Sequence, residues 1–148
     1  NSRAGGFLRE VGSHYVYFAR RLLGAMTLHS AHVGGRDNIS AEHFAHVLLQ
    51  AGDIPITMTG STSSGKPDVN VCIVHSERAT YRIRNFHWLD IVGASGWSPA
   101  YPAPENPERE THLRQLDNVK RLLAGDEKAT ATFSDALEVQ RHVEAMLA

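Results

Sequence analysis

The chain has 148 residues, 42% hydrophobic and 21% charged, and its 15 Lys and Arg against 16 Asp and Glu give a formal net charge of -1. This length supports one domain with a hydrophobic core and is short for two, so we expect a single domain over residues 1–148. The basic residues are scattered along the chain rather than clustered, which makes nucleic acid and anionic membranes poor candidates as partners.

The apolar runs and the single cysteine indicate where the protein functions. No apolar run approaches the roughly 20 residues that a membrane span needs, and no signal segment opens the chain. Cys72 lies alone in an apolar run, which excludes an internal disulfide framework and is typical of a reducing compartment. We therefore expect a soluble protein in the cytoplasm. The chain begins at Asn1 and enters a helical pattern almost at once, so we also expect it to be part of a longer protein.

The first predicted element is a helix over residues 7–23, with apolar residues at helical spacing and Gly24 as its C-terminal cap. Glu10 and His14 are four residues apart, which puts them on one side of an α-helix. A carboxylate beside an imidazole holds it in one tautomer and favours its protonated form, as acid/base chemistry requires. The alternative is a solvated surface pair.

The pattern changes to short strands after this helix. The predicted strands are 27–33, 41–50, 54–61, 69–75 and 80–84, with a possible sixth at 87–92. The segment 93–107 contains four prolines together with Trp97 and Tyr101, and it is predicted to be an irregular loop. Two helices follow: Asn106 caps the first, which ends at Gly125, and Thr132 or Ser134 caps the last.

This order of elements predicts the α+β class: a mostly antiparallel open sheet of about five or six strands, with helices packed on one face. Both faces of the predicted strands carry apolar side chains, since Val47 and Leu49 alternate with Leu48, and Val71 alternates with Cys72. We therefore expect a partner domain or a second copy of the sheet to cover the other face.

Several familiar motifs are incomplete or absent. The segment 60–66 matches a phosphate-binding loop up to Lys66, but Pro67 stands where that loop needs Ser or Thr, so a hairpin loop is predicted instead. His29 with His32, and His43 with His46, are three apart; in strands such pairs point to opposite faces, so no metal site is predicted, whereas in helices they would align. Neither a nucleophile elbow nor a dinucleotide-binding fingerprint is present.

Residues 5–15, Gly-Gly-Phe-Leu-Arg-Glu-Val-Gly-Ser-His-Tyr, are similar to the signature Gly-Gly-x-x-x-Asp-x-Gly-x-His of the Gfo/Idh/MocA family of oxidoreductases. The order of short strands and the final helix introduced by residues 133–137 also resemble the C-terminal domain of that family. The resemblance covers essentially the whole chain. It is highly specific in the first helix and moderately specific elsewhere.

The resemblance implies a role for each residue of the signature. His14 would be the acid/base residue, and Glu10 would stand where the family has a supporting aspartate. Gly12 and Ser13 would contact the substrate. The loop aromatics Trp97 and Tyr101 are candidates for lining the substrate pocket, since aromatic faces suit sugar rings, and the alternative is an ordinary packing role. Gly5 and Gly6 would let the cofactor approach the helix; the alternative is that these glycines permit close packing against a neighbouring strand.

The resemblance also implies the activity. The chain would be the C-terminal substrate-binding and dimerisation domain of an oxidoreductase that transfers hydride between NAD or NADP and a sugar, cyclitol or related polyol, with the cofactor held mainly by a Rossmann domain outside this chain. The partners would be the substrate and a second copy of the chain, joined through the sheet. Two alternatives stay open: a ligand-sensing protein of the same fold without turnover, and a stand-alone binding domain or histidine-rich metal protein.

Overall fold

The computed structural model describes residues 6–35, 41–62, 68–102, 104–126 and 129–148. They belong to two compact units: unit 1 combines Asn1–Gly65 with Ala131–Ala148, and unit 2 is Lys66–Thr130. The single domain over residues 1–148 stays a prediction. No helix in the described ranges is both long and apolar enough to cross a membrane.

Unit 1 is a three-stranded antiparallel sheet covered on one face by helices. A π-helical turn, Leu8–Gly12, leads directly into α1, Ser13–Leu23. The strands β1 (Thr27–Gly34), β2 (Phe44–Ala51) and β3 (Ile54–Ser61) follow in the order β1-β2-β3, and α3 (Phe133–Leu147) completes the unit.

The hydrophobic core of unit 1 lies between this sheet and its helices. Alternate residues of β2 are buried, and they pack with residues of α1 and α3; the buried set includes Ala45, Val47, Leu49, Ala51, Val16, Val139 and Val143. The intervening residues of β2 face away from the helices, and Phe44 and Leu48 remain 40% and 37% exposed. Helices on one face of an antiparallel sheet, as predicted, are therefore confirmed in unit 1.

The helix α3 begins at a capping box, which settles the choice between the two predicted caps. Thr132 Oγ1 accepts a hydrogen bond from the backbone N–H of Asp135 at 3.1 Å, and the Asp135 carboxylate accepts one from the backbone N–H of Thr132 at 2.9 Å. These bonds satisfy two N–H groups that have no partner within the helix. Because the carboxylate accepts bonds from the backbone and hydroxyl of Thr132, the pKa of Asp135 is lowered.

Unit 2 is a four-stranded antiparallel meander with one helix. The strands are β4 (Val71–His75), β5 (Thr80–Arg84), β6 (Trp88–Gly93) and β7 (Gly96–Pro99), in the order β4-β5-β6-β7. The helix α2, Pro107–Leu123, starts at Asn106 as predicted, and it contains no buried residue. Cys72 lies half-buried in β4, and burial raises the pKa of its thiol.

The structure differs from the sequence prediction in its strands. The seven strands are divided between two sheets, and β7 lies in the segment that was predicted to be an irregular loop. Gly93 and Gly96 pair across a two-residue turn, with Gly96 at a φ of +101°. Pro99 is tolerated because β7 is an edge strand and needs no donor on its outer side.

Candidate functional site

The start of the first helix, where the predicted catalytic residues lie, has a π-helical turn rather than a regular α-helix. The backbone N–H of Ser13 donates to the carbonyl oxygen of Leu8, five residues back. A π-turn of this kind is rare, and it is found frequently at functional sites. The turn widens the helix at the point where Glu10, Gly12 and Ser13 are placed.

Glu42, which precedes β2, anchors the beginning of this turn. Its Oε1 accepts a hydrogen bond from the backbone N–H of Leu8 at 2.7 Å, and the residue is only 2% exposed. The carboxylate lies so close to Gly6 that a Cβ at position 6 would be 2.1 Å from Oε2. A glycine is therefore required at position 6 for the carboxylate to reach the helix start.

Gly12 is buried on the side of the turn that faces the sheet. A Cβ at this position would lie 3.3 Å from Leu8 Cδ2 and 3.4 Å from the sulfur of Met58 on β3. For Gly6 and Gly12, the contacts are those of close packing, which was one of the two explanations open from sequence. Their contacts with a cofactor or substrate stay predictions.

The polar residues of the signature lie on the outside of the helix. Glu10 in the π-turn and His14 in the first turn of α1 are both exposed, and Ser13 donates its hydroxyl hydrogen to the carbonyl oxygen of Arg9 at 2.8 Å. Because Glu10 belongs to the π-turn, the regular α-helical spacing that predicted its alignment with His14 does not apply to it. The acid/base role of the pair stays a prediction.

The two predicted aromatic contacts belong to unit 2, whereas the signature residues belong to unit 1. Trp97 lies on β7, and the guanidinium carbon of Arg82 is 4.4 Å from the centre of its ring. Tyr101 follows β7 and is 70% exposed. Gly5, predicted to approach the cofactor, lies outside the described residues.

The histidines that are three residues apart in the sequence lie in or beside the strands of unit 1. His29, His32 and His46 lie in strands, as the prediction required, whereas His43 lies just before β2. The pairing of β1 with β2 shifts between Leu28 and Ser30, so the strict alternation assumed for His29 and His32 is interrupted there. In the described parts of the chain, no group of three or more His, Cys, Asp or Glu is arranged to hold a metal ion. His32 and His46 are direct cross-strand neighbours, and His46 Nδ1 lies 3.2 Å from the hydroxyl of Thr59. This pairing depends on strand register, so spacing along the sequence could not reveal it.

The glycine of the incomplete phosphate-loop motif has a packing role. Gly60 lies on β3, and a Cβ there would be 2.1 Å from the ring of Phe7. Residues 63–67, which form most of the predicted hairpin loop, lie outside the described residues.

Sequence reasoning missed Glu42. Its isolated carboxylate within an apolar strand pattern carries no motif, and only the fold brings it to the helix start. The one signal in the sequence was a charged residue near the start of a strand with a buried pattern. A fully buried carboxylate is rare unless a hydrogen-bond donor satisfies it, so such a residue is expected to have a specific partner.

Comparison with solved structures identifies proteins that share this fold. An oxidoreductase from Agrobacterium radiobacter, solved with NAD+, L-tartaric acid and magnesium, matches with a TM-score of 0.69 over 97% of this chain at 21% identity. A dehydrogenase from Clostridium difficile matches with a TM-score of 0.67 over 95% of the chain at 15% identity. A structure from Bacteroides fragilis gives 0.63 over 95% at 17% identity.

The chain spans about half the length of these proteins, covering 47%, 47% and 48% of them respectively. No protein-family model and no curated protein matches the sequence. The structural likeness therefore establishes that this chain has the fold of a domain that makes up half of several oxidoreductases.

Proposed function

We propose that the chain is the C-terminal, substrate-binding domain of an NAD(P)-dependent oxidoreductase of the Gfo/Idh/MocA type. The observation that carries the proposal is the match of almost the whole chain to half of an oxidoreductase that was solved with NAD+. The signature around Glu10 and His14 is an independent argument, because it rests on sequence rather than on shape.

The proposed role of His14 follows from its chemistry and position. It is exposed in the first turn of α1, directly after the π-turn whose first N–H is bound by Glu42, so its imidazole is accessible to a substrate. Imidazole donates and accepts protons near neutral pH, so His14 exchanges a proton with the substrate hydroxyl or carbonyl oxygen. Glu10 supplies a negative charge on the same segment, and it is the proposed supporting carboxylate of the site.

The nicotinamide cofactor, when bound, accepts or donates the hydride that accompanies this proton transfer. The sequence contains no dinucleotide-binding fingerprint, and the Glu42 carboxylate occupies the space beside Gly6. Cofactor binding is therefore assigned to the rest of the intact protein, and this chain is assigned the substrate side. The proposed substrate class is a sugar, cyclitol or related polyol, and the proposed location is the cytoplasm.

The same proposal includes association of two copies through the sheet. The helix-free face of the unit 1 sheet exposes Phe44 and Leu48, and apolar side chains on an open sheet favour burial against another surface.

Replacement of His14 tests the proposed mechanism. In the intact oxidoreductase, His14→Ala is expected to lower kcat by about 100-fold or more, the usual scale for losing a general acid/base, while cofactor binding is unchanged. His29→Ala removes another exposed histidine of unit 1 and is the matched control, expected to keep full turnover. Undiminished turnover in His14→Ala contradicts the mechanism. An intact protein that binds cofactor and polyol without turnover favours the ligand-sensing alternative.

A further inference from the structure

One face of the unit 2 sheet gathers two arginines, a carboxylate and both tryptophans of the chain. Arg82 pairs directly with Asp90 across β5 and β6, and Arg84 pairs with Trp88. Directly paired residues share a face of a sheet, as do residues two apart on one strand. Trp97 joins the group from β7, since its ring contacts the Arg82 guanidinium.

Asp90 holds the two guanidinium groups close together. Its Oδ2 accepts hydrogen bonds from Nε of Arg82 at 2.9 Å and from Nε of Arg84 at 2.6 Å, and its Oδ1 accepts one from Nη2 of Arg84 at 3.0 Å. The Asp90 side chain is only 3% exposed. Hydrogen bonds from Arg84 and then from Arg82 lower the pKa of Asp90 to about 2. Two positive charges therefore share one negative charge, and the cluster carries one unbalanced positive charge.

Asp90 does not occupy all the donors of the two arginines, and both side chains are partly exposed. A guanidinium has five N–H donors, so each arginine keeps donors that the buried carboxylate does not occupy. The Arg82 and Arg84 side chains are 26% and 41% exposed. The stacked Trp97 ring and the bonds to Asp90 restrict both side chains before any ligand arrives, which lowers the entropy cost of binding.

The surroundings of the two arginines favour an organic anion. Val71 and Ile73 pair with Arg84 and Arg82 across β4 and β5, and they are 46% and 48% exposed. An inorganic ion gains nothing from such apolar neighbours, whereas the carbon skeleton of an organic acid can lie against them. A carboxylate also matches the planar fork of a guanidinium.

We propose that this face of unit 2, the Arg82–Arg84 site, binds the carboxylate of a small organic acid, with the carbon skeleton resting on the tryptophans and on Val71 and Ile73. The site is independent of the proposed oxidoreductase activity, because it rests on contacts within unit 2. Its test measures binding rather than turnover, so the failure of one proposal is distinguishable from the failure of the other.

Tryptophan fluorescence is a selective reporter of this site, because both tryptophans of the chain lie on the same face. The protein is titrated with D-glucuronate, with D-glucose as a neutral molecule of similar size, and with inorganic phosphate. We expect a saturable fluorescence change with D-glucuronate and at least about tenfold weaker responses to the other two compounds. Added salt is expected to weaken D-glucuronate binding.

Variants connect the response to the arginines. Arg84→Gln is expected to weaken D-glucuronate binding by about tenfold or more, because a charge-assisted pair is lost. Arg84→Lys keeps the charge but not the planar guanidinium, and its affinity for D-glucuronate is expected to lie between those of the unaltered protein and Arg84→Gln. If Arg84→Gln does not fold, Arg84→Lys provides the test. Arg78→Gln makes the same charge change at an exposed turn of unit 2, and it is expected to bind like the unaltered protein.

Four results overturn the proposal: no saturable response, an equal response to D-glucuronate and D-glucose, phosphate binding as tight as D-glucuronate binding, and an equal loss in Arg78→Gln. Equal binding of phosphate would identify a general anion site instead.

Discussion

At the scale of single residues, Glu42 has the clearest structural task, because it accepts the buried N–H of Leu8 at the start of the first helix. Glu42→Ala leaves this donor unsatisfied, and we expect it to lower the free energy of unfolding by about 1–3 kcal/mol. Glu42→Gln keeps a carbonyl acceptor and should lose less. Urea unfolding of the two variants measures the difference, and equal stabilities would contradict the assigned bond.

Asp90 should make the stability of unit 2 depend on pH in the acid range. The pKa of Asp90 is about 2 in the folded protein against the ordinary aspartate value of 3.8, so its contribution to stability is complete above the ordinary value and is lost as pH falls between the two. Asn at position 90 cannot titrate. We therefore expect the urea midpoint, measured by tryptophan fluorescence, to fall less steeply in Asp90→Asn than in the unaltered protein as pH is lowered from about 4 toward 2.

The control for this prediction is Asp117→Asn, which changes an exposed carboxylate on α2. It should keep the acid dependence of the unaltered protein. An equally steep fall in Asp90→Asn would show that the two arginines do not stabilise the ionised form of Asp90.

At the scale of elements, the start of α3 depends on Thr132. Thr132→Ala removes the side-chain acceptor for the backbone N–H of Asp135, and we expect a loss of about 1 kcal/mol in the free energy of unfolding. Ser134→Ala is the matched control, since Ser134 is exposed and belongs to the helical segment rather than to its cap. Thermal unfolding monitored by circular dichroism checks both. A larger loss of stability in Ser134→Ala than in Thr132→Ala would contradict the assignment of Thr132 as the cap.

The sequence predicted most elements because their signals are local. The strands β1 to β6 lie in the short β-rich runs predicted between turn residues, although β2 begins at Phe44 rather than at residue 41 and β4 at Val71 rather than at residue 69. The helix α2 begins at the predicted cap, Asn106. The strand β7 was missed because its prolines suggested a loop, although Gly93 and Gly96 flank a two-residue turn. The π-turn was missed too, because apolar periodicity over a few residues does not distinguish it from an α-helix.

The candidate sites were less predictable than the elements. Glu10 and His14 were found because a signature places them close in sequence. Glu42, and the cluster of Arg82, Arg84 and Asp90, depend on contacts between separate elements, and the division of the strands into two sheets depends on pairings of the same kind. No local pattern specifies which strand lies beside which.

At the scale of the whole molecule, burial is unevenly divided between the units. All the buried apolar residues among those described belong to unit 1, and Asp90 is the buried residue of unit 2. Since burial of apolar surface is the main stabilising contribution, backbone amides of β4 to β7 should exchange with solvent sooner than those of β2. Hydrogen exchange of the 148-residue chain measures this. Equal protection of the two sheets would contradict it.

Association through the sheet is the second expectation at this scale. Sedimentation of the chain at micromolar concentration should show a dimer, and Phe44→Ser with Leu48→Ser should shift it toward monomer by removing exposed apolar side chains of β2. Leu123→Ser, a change at an 84% exposed residue of α2, is the control and should leave the dimer intact. A monomeric unaltered chain would remove dimerisation from the proposed function.

The π-turn at Leu8–Gly12 has a consequence for how this helix tolerates change in length. A π-turn is equivalent to a single extra residue absorbed inside an α-helix. Deleting Arg9 would therefore let one continuous α-helix form, with its buried end at Leu8 and its buried middle at Val16 still available to the core. Because His14 and Val16 lie on the same regular helix, the imidazole would keep its direction relative to the core. A chain one residue shorter is thus expected to keep both its fold and the orientation of its imidazole.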